Sequence, residues 1–190
     1  MSISTNSTPS TLLGLTPGVW TLDSSHSEIG FTVRHAGISK VRGSFDEVTA
    51  TLQVSDTLEK SAATATIAAK SLNSNNADRD AHVRGGDFFD VEQFPTLTYQ
   101  STGCSRNGDT YNLEGYLTIR GLTRPVTLVT EFNGVTVDPF GATRAGFSAT
   151  TVISRKEFGL TWNAALEAGG VLVGDKVTIN IDAAFIATNA

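Results

Sequence analysis

Apolar and polar residues alternate with a period of two along much of this chain. The clearest runs are residues 48–55, 111–120 and 177–185, where Val, Leu, Ile, Ala or Phe stands at every second position and mostly polar residues lie between. Successive side chains of a strand face opposite sides of a sheet, so this pattern indicates half-buried strands. Weaker alternation occurs in residues 29–35, 62–70, 96–102, 126–132 and 147–153. The pattern predicts about eight strands.

Turn residues separate these runs. Residues 106–109 read Arg-Asn-Gly-Asp, residues 138–141 read Asp-Pro-Phe-Gly, and Gly169 is followed by Gly170. Short connections between sequential strands predict antiparallel pairing in a sheet that must close or stack to hide its edges. A closed barrel of eight strands is just wide enough to be filled by side chains or to hold one slender ligand. The predicted class is therefore all-β, with one or two short helices.

Two segments break the alternation and predict local helix. Asn75 or Asn76 can cap a helix over residues 77–84, which Gly85 and Gly86 then end. The second break covers residues 155–168 and contains a possible helical turn at residues 163–167. Such breaks are the places where residues other than scaffold are expected.

The ends of the chain indicate one domain and no membrane segment. Residues 1–16 contain no charged side chain and open on a run rich in Ser, Thr and Asn, so we predict a disordered tail there and a single domain over residues 17–190. No export signal and no run of about 18 apolar residues is visible, which predicts a soluble, cytoplasmic protein.

Composition and charge narrow the class further. Thr, Val and Ile number 26, 15 and 9 of 190 residues, which argues against a helical protein. The net charge of −5 and the lack of a Lys/Arg cluster argue against a general nucleic-acid surface. The single cysteine, Cys104, excludes an internal disulfide and a thiolate zinc cage, and we interpret it as an incidental thiol.

Charged residues are concentrated in the first break, residues 78–92. Asp80 with Arg84, and Asp78 with His82, have the i, i+4 spacing of helical pairs. A solvated, self-paired loop is favoured over a catalytic carboxylate cluster. Three phenylalanines at 88, 89 and 94 need burial, however, and aromatic residues beside charges could cover the mouth of a barrel.

Signals for metal binding or catalysis are weak. The histidines are His26, His35 and His82, and no two have the spacing of a helical zinc site. Residues 23–27 bring Ser, His and Asp together in sequence, but five adjacent residues do not supply triad geometry. No phosphate-binding glycine loop is present. We therefore expect no cofactor, no metal and no enzyme activity.

Several longer motifs resemble the YceI-like family of polyisoprenoid-binding proteins. They occur in the family's order over residues 20–186: residues 20–35 (WTLDSSHSEIGFTVRH), 42–45 (RGSF), 79–84 (RDAHVR), 87–90 (DFFD), 94–95 (FP), 117–126 (LTIRGLTRPV), 154–160 (SRKEFGL) and 173–177 (VGDKV).

The resemblance implies an extended eight-stranded antiparallel lipocalin-like β-barrel whose apolar interior holds a long isoprenoid or similar amphiphile. Members are thought to store, carry or sense such lipids, without an agreed catalytic activity. Many are exported, and this chain differs in showing no export signal. A homodimer is expected by analogy alone.

Candidate site residues follow from this reading. The residues expected to contact a ligand chain are Phe31, Val33, Phe88, Phe89, Phe94, Phe158, Leu160 and Trp162. The alternative is that they fill the barrel's own core. The residues expected to meet a polar head group, or to pin the helix to the barrel, are Arg34, His35, Arg79, Asp80, His82 and Arg84. For Asp80 and Arg84, pinning of the helix to the barrel is the preferred reading.

Gly121 and Pro125 are interpreted as structural: Gly121 permits a turn, and Pro125 fixes φ where one strand gives way to the next.

Two other functions remain open at this stage. One is an enzyme that uses the Asp/Arg/His cluster of residues 78–92. The other is a ligand-free barrel that acts as an interaction or stress-response module. A continuous apolar channel through the interior would argue against the second of these.

Overall fold

Residues 12–188, which the computed structural model of the chain describes, form eleven strands and one α-helix. The elements are β1 (Gly18–Leu22), β2 (Glu28–His35), β3 (Ser39–Phe45), β4 (Val48–Val54), β5 (Ala62–Ala68), β6 (Leu72–Asn73), α1 (Ala77–Arg84), β7 (Thr96–Asn107), β8 (Thr110–Ile119), β9 (Leu122–Val137), β10 (Thr143–Ser154) and β11 (Val173–Ala187). Single 3₁₀ turns lie at Ser24–His26, Ala69–Ser71 and Arg155–Phe158. All pairings among these strands are antiparallel.

The eleven strands make a closed barrel of eight long strands. β1 and β2 follow one another along the same side of β11, which pairs with β1 over Phe185–Ala187 and with β2 over Val173–Asp182. In the same way β3 runs into β4, and β5 into β6. β7 to β11 complete the circuit. Each of the eight predicted strands corresponds to one long strand, so the eight-stranded antiparallel barrel is confirmed.

Alternation decides what the barrel encloses. Residues at every second position of each strand line the interior. Among them, Val33 of β2 is the register partner of Val41 of β3, and Ala50 of β4 is that of Ala65 of β5. Two inward positions are glycine because an aromatic ring lies over them. The Tyr99 ring covers Gly115, and the Phe31 ring covers its cross-strand partner Gly43. A side chain at either glycine would collide with the ring, so these glycines permit inward aromatics.

Two apolar clusters occupy the two ends of the barrel. The cluster beside α1 is built on Phe88, Leu97, Ile119, Phe158 and Leu160. At the other end the buried residues are Leu15, Trp20, Val54, Ala145 and Phe185. The Trp20 indole N–H donates to the Thr16 carbonyl at 2.9 Å, so its one polar atom is satisfied.

The bend between β1 and β2 is held by Asp23. Its carboxylate accepts from the Ser25 backbone N–H and hydroxyl, and it forms an ion pair with Arg144 of β10. Arg144 also donates to Asp138 in the β9–β10 turn at 2.7 Å. The Ser25 hydroxyl, Arg144 and His26 lower the pKa of Asp23 far below its usual range.

The helix prediction is confirmed at α1, and Asn76 is the capping residue, accepting from the Arg79 N–H at 2.9 Å. The second predicted helical turn, residues 163–167, is wrong. The helical turn lies at Arg155–Phe158, and the later segment is a loop in which the Asn163 side chain bonds to both backbone groups of Val173. That side-chain bonding takes the place of helical hydrogen bonds.

Three further expectations need correction or completion. Residues 1–11 of the predicted tail lie outside the described residues, and Leu15, also within the predicted tail, is buried in the second apolar cluster. Pro125 does not stand between strands, because it lies inside β9 opposite Tyr116. The turn itself is formed by Arg120 and Gly121, with φ of 50° and 72°. The pattern also failed to predict β1 and β3.

Replacing Gly115 by Ala should destabilise the barrel. A Cβ there would lie 2.6 Å from the Tyr99 ring and 2.5 Å from the Gln100 carbonyl oxygen, so ring and strand must shift. We expect the free energy of unfolding in urea to fall by about 1–3 kcal/mol. Gly103→Ala, on the partner strand, is the control, since its nearest neighbour is Glu114 at 3.9 Å. Equal stability of Gly115→Ala and the native chain would contradict the view that residue 115 is glycine because the Tyr99 ring lies over it.

Replacing Asp23 by Asn should lower stability in a pH-dependent manner. The folded pKa of Asp23 lies below its unfolded value, so its stabilising contribution is present above about pH 4 and disappears as pH falls towards the folded pKa. The gap in unfolding free energy between native and variant should be widest at pH 7 and narrower at pH 3. Asp109→Asn, in the exposed β7–β8 turn, is the control. A difference in unfolding free energy that did not change with pH would argue against an ionic role of the Asp23 carboxylate.

Candidate functional site

An elongated apolar cavity of about 670 Å³ runs through the barrel. Its wall includes Val177 and Phe185 of β11, a span of about 27 Å along the strand at 3.3–3.4 Å per residue. Pockets for small molecules commonly measure about 300–1,000 Å³, so the interior is of ligand-binding size. The cavity also means that the barrel is not filled by its own side chains.

Aromatic rings surround the cavity at the α1 end. The Phe45 ring lies 5.9 Å from that of Phe31 and 5.8 Å from that of Phe89. The Phe88 and Trp162 rings are 5.5 Å apart. These spacings are those of tilted and edge-to-face aromatic pairs, which hold ring orientations while leaving flat apolar surface for a ligand.

A second aromatic group lines the other end. Phe147 lies 5.4 Å from Phe132 and 5.9 Å from Phe185, between centroids. The sequence analysis did not name these three residues or Phe45 as site residues. The signal was present for Phe132, Phe147 and Phe185, which stand at inward positions of alternating runs, whereas Phe45 ends β3, which alternates poorly.

Polar groups line the cavity where it approaches α1. Arg34 and His35 end β2 on one side, and Asp78, Arg79 and His82 lie on the helix on the other. Most of them are exposed to solvent, so the cavity reaches the surface at this end. The imidazole of His82 hydrogen-bonds to Asp87 at 2.9 Å and stands edge-on to the Phe88 and Trp162 rings.

Asp80 and Arg84 attach α1 to the barrel, although not by pairing with each other. Asp80 is buried and accepts from the backbone N–H and hydroxyl of Ser74. Arg84 donates to the Leu72 carbonyl. Within residues 12–188 neither Asp80–Arg84 nor Asp78–His82 is an ion pair, so both predicted i, i+4 pairs are wrong. Buried backbone groups of residues 72–74 offer these side chains partners that a solvated helix lacks.

Arg155 is a buried residue of the site that the sequence analysis did not single out. Its guanidinium donates to four backbone carbonyls, those of Leu160, Trp162, Val173 and Gly174, at 2.6–3.1 Å. Burial lowers its pKa, against the opposing effect of Asp175. It thereby holds the loop that carries Leu160 and Trp162 against the cavity.

The structure places seven of the eight predicted ligand-contact residues in the cavity wall. They are Phe31, Val33, Phe88, Phe89, Phe158, Leu160 and Trp162. Phe158 and Leu160 are almost fully buried and belong also to the core. Phe94 is the exception, because its ring packs against Gly121 in the β8–β9 turn. Of the polar candidates, Arg34, His35, Arg79 and His82 line the cavity, and Asp80 and Arg84 do not.

The described residues carry few groups poised for chemistry. Ser25 Oγ and Asp23 Oδ2 both lie at Nδ1 of His26, at 3.0 and 2.8 Å, which is not the arrangement of a triad. No cluster of three metal-ligating side chains occurs in residues 12–188. Cys104 lines the cavity, but burial, with Glu59, raises the pKa of its thiol, which disfavours the thiolate. No helix in that range is long and apolar enough to cross a bilayer.

Comparison with sequences gives one family. The YceI-like domain model matches residues 20–185. A UPF0312 protein of Staphylococcus aureus is 37% identical over 171 residues, which cover 87% of this chain and 96% of that protein. The corresponding protein of S. aureus strain N315 gives the same identity and coverage.

Solved structures share the fold. BcnA of Burkholderia cenocepacia superposes with a TM-score of 0.73 at 22% identity, over 88% of this chain and 99% of that one. A Campylobacter jejuni YCEI protein gives 0.70 at 27% identity, over 88% and 97%. A polyisoprenoid binding domain from Saccharophagus degradans gives 0.68 at 14% identity, over 89% and 98%.

Replacing Arg155 by Met should loosen the loop over the cavity. Four carbonyls would lose a charged donor, and hydrogen bonds to charged groups contribute about 1.5–3 kcal/mol each without adding fully. We expect a loss of about 3 kcal/mol in urea unfolding and faster amide hydrogen exchange in residues 160–174. Lys156→Met, the exposed neighbour, should change neither. Unchanged exchange in the Arg155 variant would show that the loop is held by other contacts.

Proposed function

The chain belongs to the YceI-like domain family, and on this premise we propose that it binds a long-chain amphiphile, a polyisoprenoid or similar lipid, inside its barrel. The proposed role is storage, carriage or sensing of that lipid without chemical conversion. The observation that carries the proposal is the elongated apolar cavity, which is bounded by aromatic and aliphatic side chains along most of its length.

The shape of the cavity supports a slender, extended ligand. Its wall follows β11 for about 27 Å along the strand, and alanines such as Ala50, Ala65 and Ala183 leave the interior open between the aromatic ends. Hiding apolar ligand surface from water contributes roughly 25 cal/mol per Å². A hydrocarbon chain therefore gains affinity from burial with few polar contacts.

The polar rim supports one polar end on that ligand. Arg34, His35, Arg79 and His82 line the wall only at the α1 end, so a head group would sit there with the chain pointing inward. Arg79 donates two hydrogen bonds to Ser74 at 2.7 Å, which leaves part of its guanidinium for a ligand. The proposed chain contacts are Phe31, Val33, Phe88, Phe89, Phe158, Leu160 and Trp162.

The choice of polyisoprenoids as the first class to test comes from a structural relative. The Saccharophagus degradans domain is described as polyisoprenoid binding and shares the fold. Binding without catalysis is supported by the charged residues of 78–92, several of which are occupied by protein partners: Asp80 by Ser74, His82 by Asp87 and Arg84 by Leu72. A homodimer and a cytoplasmic location stay predictions.

Narrowing the cavity should abolish uptake of an isoprenoid alcohol. Ala65 lies beside Ala50, its partner on the neighbouring strand, in the cavity wall, so Ala65→Phe places a ring where the chain would pass. We expect native mass spectrometry to show one geranylgeraniol per native chain and at least a tenfold weaker affinity in the variant. The Trp162 side chain lies in the cavity wall and that of Trp20 does not. A bound ligand should therefore quench the tryptophan fluorescence of the native chain, and this quenching should disappear in Trp162→Phe.

Thr66→Phe is the matched control for this experiment. Thr66 is the next residue of β5 and is exposed on the outer face, so the same ring is added without entering the cavity. Its uptake should equal that of the native chain. If the native chain takes up neither geranylgeraniol nor a straight-chain fatty alcohol, and organic extraction of the purified protein yields no amphiphile, the proposal fails.

A further inference from the structure

The turn end of the β2–β3 hairpin, residues 30–44, is basic in an acidic protein. It contains Arg34, Lys40 and Arg42 and no Asp or Glu, whereas the whole chain carries −5. The carboxylates Glu28, Asp46 and Glu47 lie at the other end of the two strands. Arg34 and Lys40 are partners in the register, and Arg42 is opposite Thr32. The inward residues of these strands are Phe31, Val33 and Val41, so Lys40 and Arg42 face outward, and Arg34, opposite Lys40, lies at the rim, where it also borders the cavity.

These cations are not neutralised by the fold. Within residues 12–188 no carboxylate lies within 4.0 Å of Arg34, Lys40 or Arg42. Asp175, on the adjoining part of β11, is occupied by the Ser154 hydroxyl at 2.8 Å and by the Lys156 backbone N–H. Lys176 next to it is exposed and adds a further positive charge. The hairpin therefore presents a positive surface to solvent.

An exposed aliphatic side chain projects at the tip of this hairpin. Ile38 is 87% exposed, and Val171 in the neighbouring loop is 51% exposed. Two backbone hydrogen bonds hold the tip in place. The Ala36 N–H donates to the Leu172 carbonyl at 2.7 Å, and the Ile38 N–H donates to the His35 carbonyl at 3.2 Å, which closes the turn. Ala36 has a φ of 51°, a conformation unfavourable for alanine that this bonding maintains.

The tip also stands beside the open end of the cavity. Val33, His35, Val41 and Leu172 line the cavity wall, and Ile38 follows His35 by three residues. A surface that contacted Ile38 and the three cations would therefore lie next to the polar rim. An apolar tip with cations behind it has the chemistry of an element that rests on anionic lipid head groups.

We propose that the β2–β3 hairpin docks the mouth of the barrel on an anionic membrane surface. Lys40, Arg42 and Arg34 contact head-group phosphates, and Ile38 enters the interfacial layer. The inference rests on the proposed function for its purpose, since docking would bring a lipid directly to the cavity without passage through water. The binding itself requires no ligand in the barrel.

The opposite end of the barrel offers a comparison within the same chain. Phe140, at the tip of the β9–β10 turn, is 94% exposed. The charges beside it are Asp138 and Arg144, and Arg144 is already paired with Asp138 and Asp23. Phe140 therefore supplies an exposed apolar tip without free cations, and an anionic surface should not hold it.

The test is sedimentation of the full chain with vesicles that contain no isoprenoid. One set is phosphatidylcholine alone, and the other contains 30 mol% phosphatidylglycerol, both at low salt. Each cation near an anionic surface strengthens binding about fivefold, so three should give about a 100-fold preference for the anionic vesicles. Lys40→Gln/Arg42→Gln should reduce binding about 20-fold, and Ile38→Ser about tenfold. Added salt should weaken binding in every case.

Two controls distinguish docking from general stickiness. Phe140→Ser removes an equally exposed apolar tip, and Lys60→Gln/Arg106→Gln removes two cations at the opposite end. Both should bind anionic vesicles like the native chain. The proposal would be overturned if either control variant lost as much vesicle binding as the hairpin variants. It would also be overturned if the native chain showed no preference for phosphatidylglycerol, or if it bound duplex DNA and not vesicles. Circular dichroism and thermal unfolding establish that each variant is folded.

The outcomes for docking and for lipid uptake are separable. Geranylgeraniol uptake measured without vesicles should be unchanged in Ile38→Ser and in Lys40→Gln/Arg42→Gln, because none of these side chains lines the cavity. Vesicle binding without uptake would remove the proposed function and leave the docking surface. Uptake without vesicle binding would do the reverse.

Discussion

The antiparallel pairing of β1 with β11 is the contact on which the rest of the structure depends. Only three residue pairs make it, Trp20 with Ala187, Thr21 with Ile186 and Leu22 with Phe185. They join the first strand to the last, so the sheet has no free edge there and its inner face is enclosed. The buried Trp20 packs at the same place. Without this closure the alternating strands would have an apolar face and no interior.

Closure alone does not leave room for a ligand, because an eight-stranded barrel is narrow enough for its own side chains to fill. Here the aromatic residues gather at the two ends, whereas Ala50, Ala65, Ala149 and Ala183 line the wall between them. Space therefore remains along the barrel. Because the Arg, His and Asp side chains of the cavity wall lie beside α1, the interior is suited to an extended chain with one polar end.

The charged segment of residues 78–92 illustrates how burial changes the meaning of a sequence pattern. Helical spacing suggested that Asp80 would pair with Arg84, and the structure gives each a backbone or hydroxyl partner on residues 72–74. Unsatisfied buried backbone groups are costly, so they compete successfully for charged side chains. The same competition explains Arg155, whose four carbonyl partners come from residues brought together only by the fold. Within residues 12–188 the cations of the β2–β3 hairpin form no ion pair.

The sequence by itself determined the local properties: which residues alternate, where α1 begins and ends, and which side chains of each strand share a face. These depend on a period of two, on a capping residue and on glycines, which act within a few neighbours. Tertiary structure decided the closure, the cavity, the inclusion of Phe132, Phe147 and Phe185 in its wall, and the exclusion of Phe94. It also supplied β1 and β3, which alternate poorly. These outcomes depend on register between distant strands, and a one-residue slip would reverse which side chains face inward.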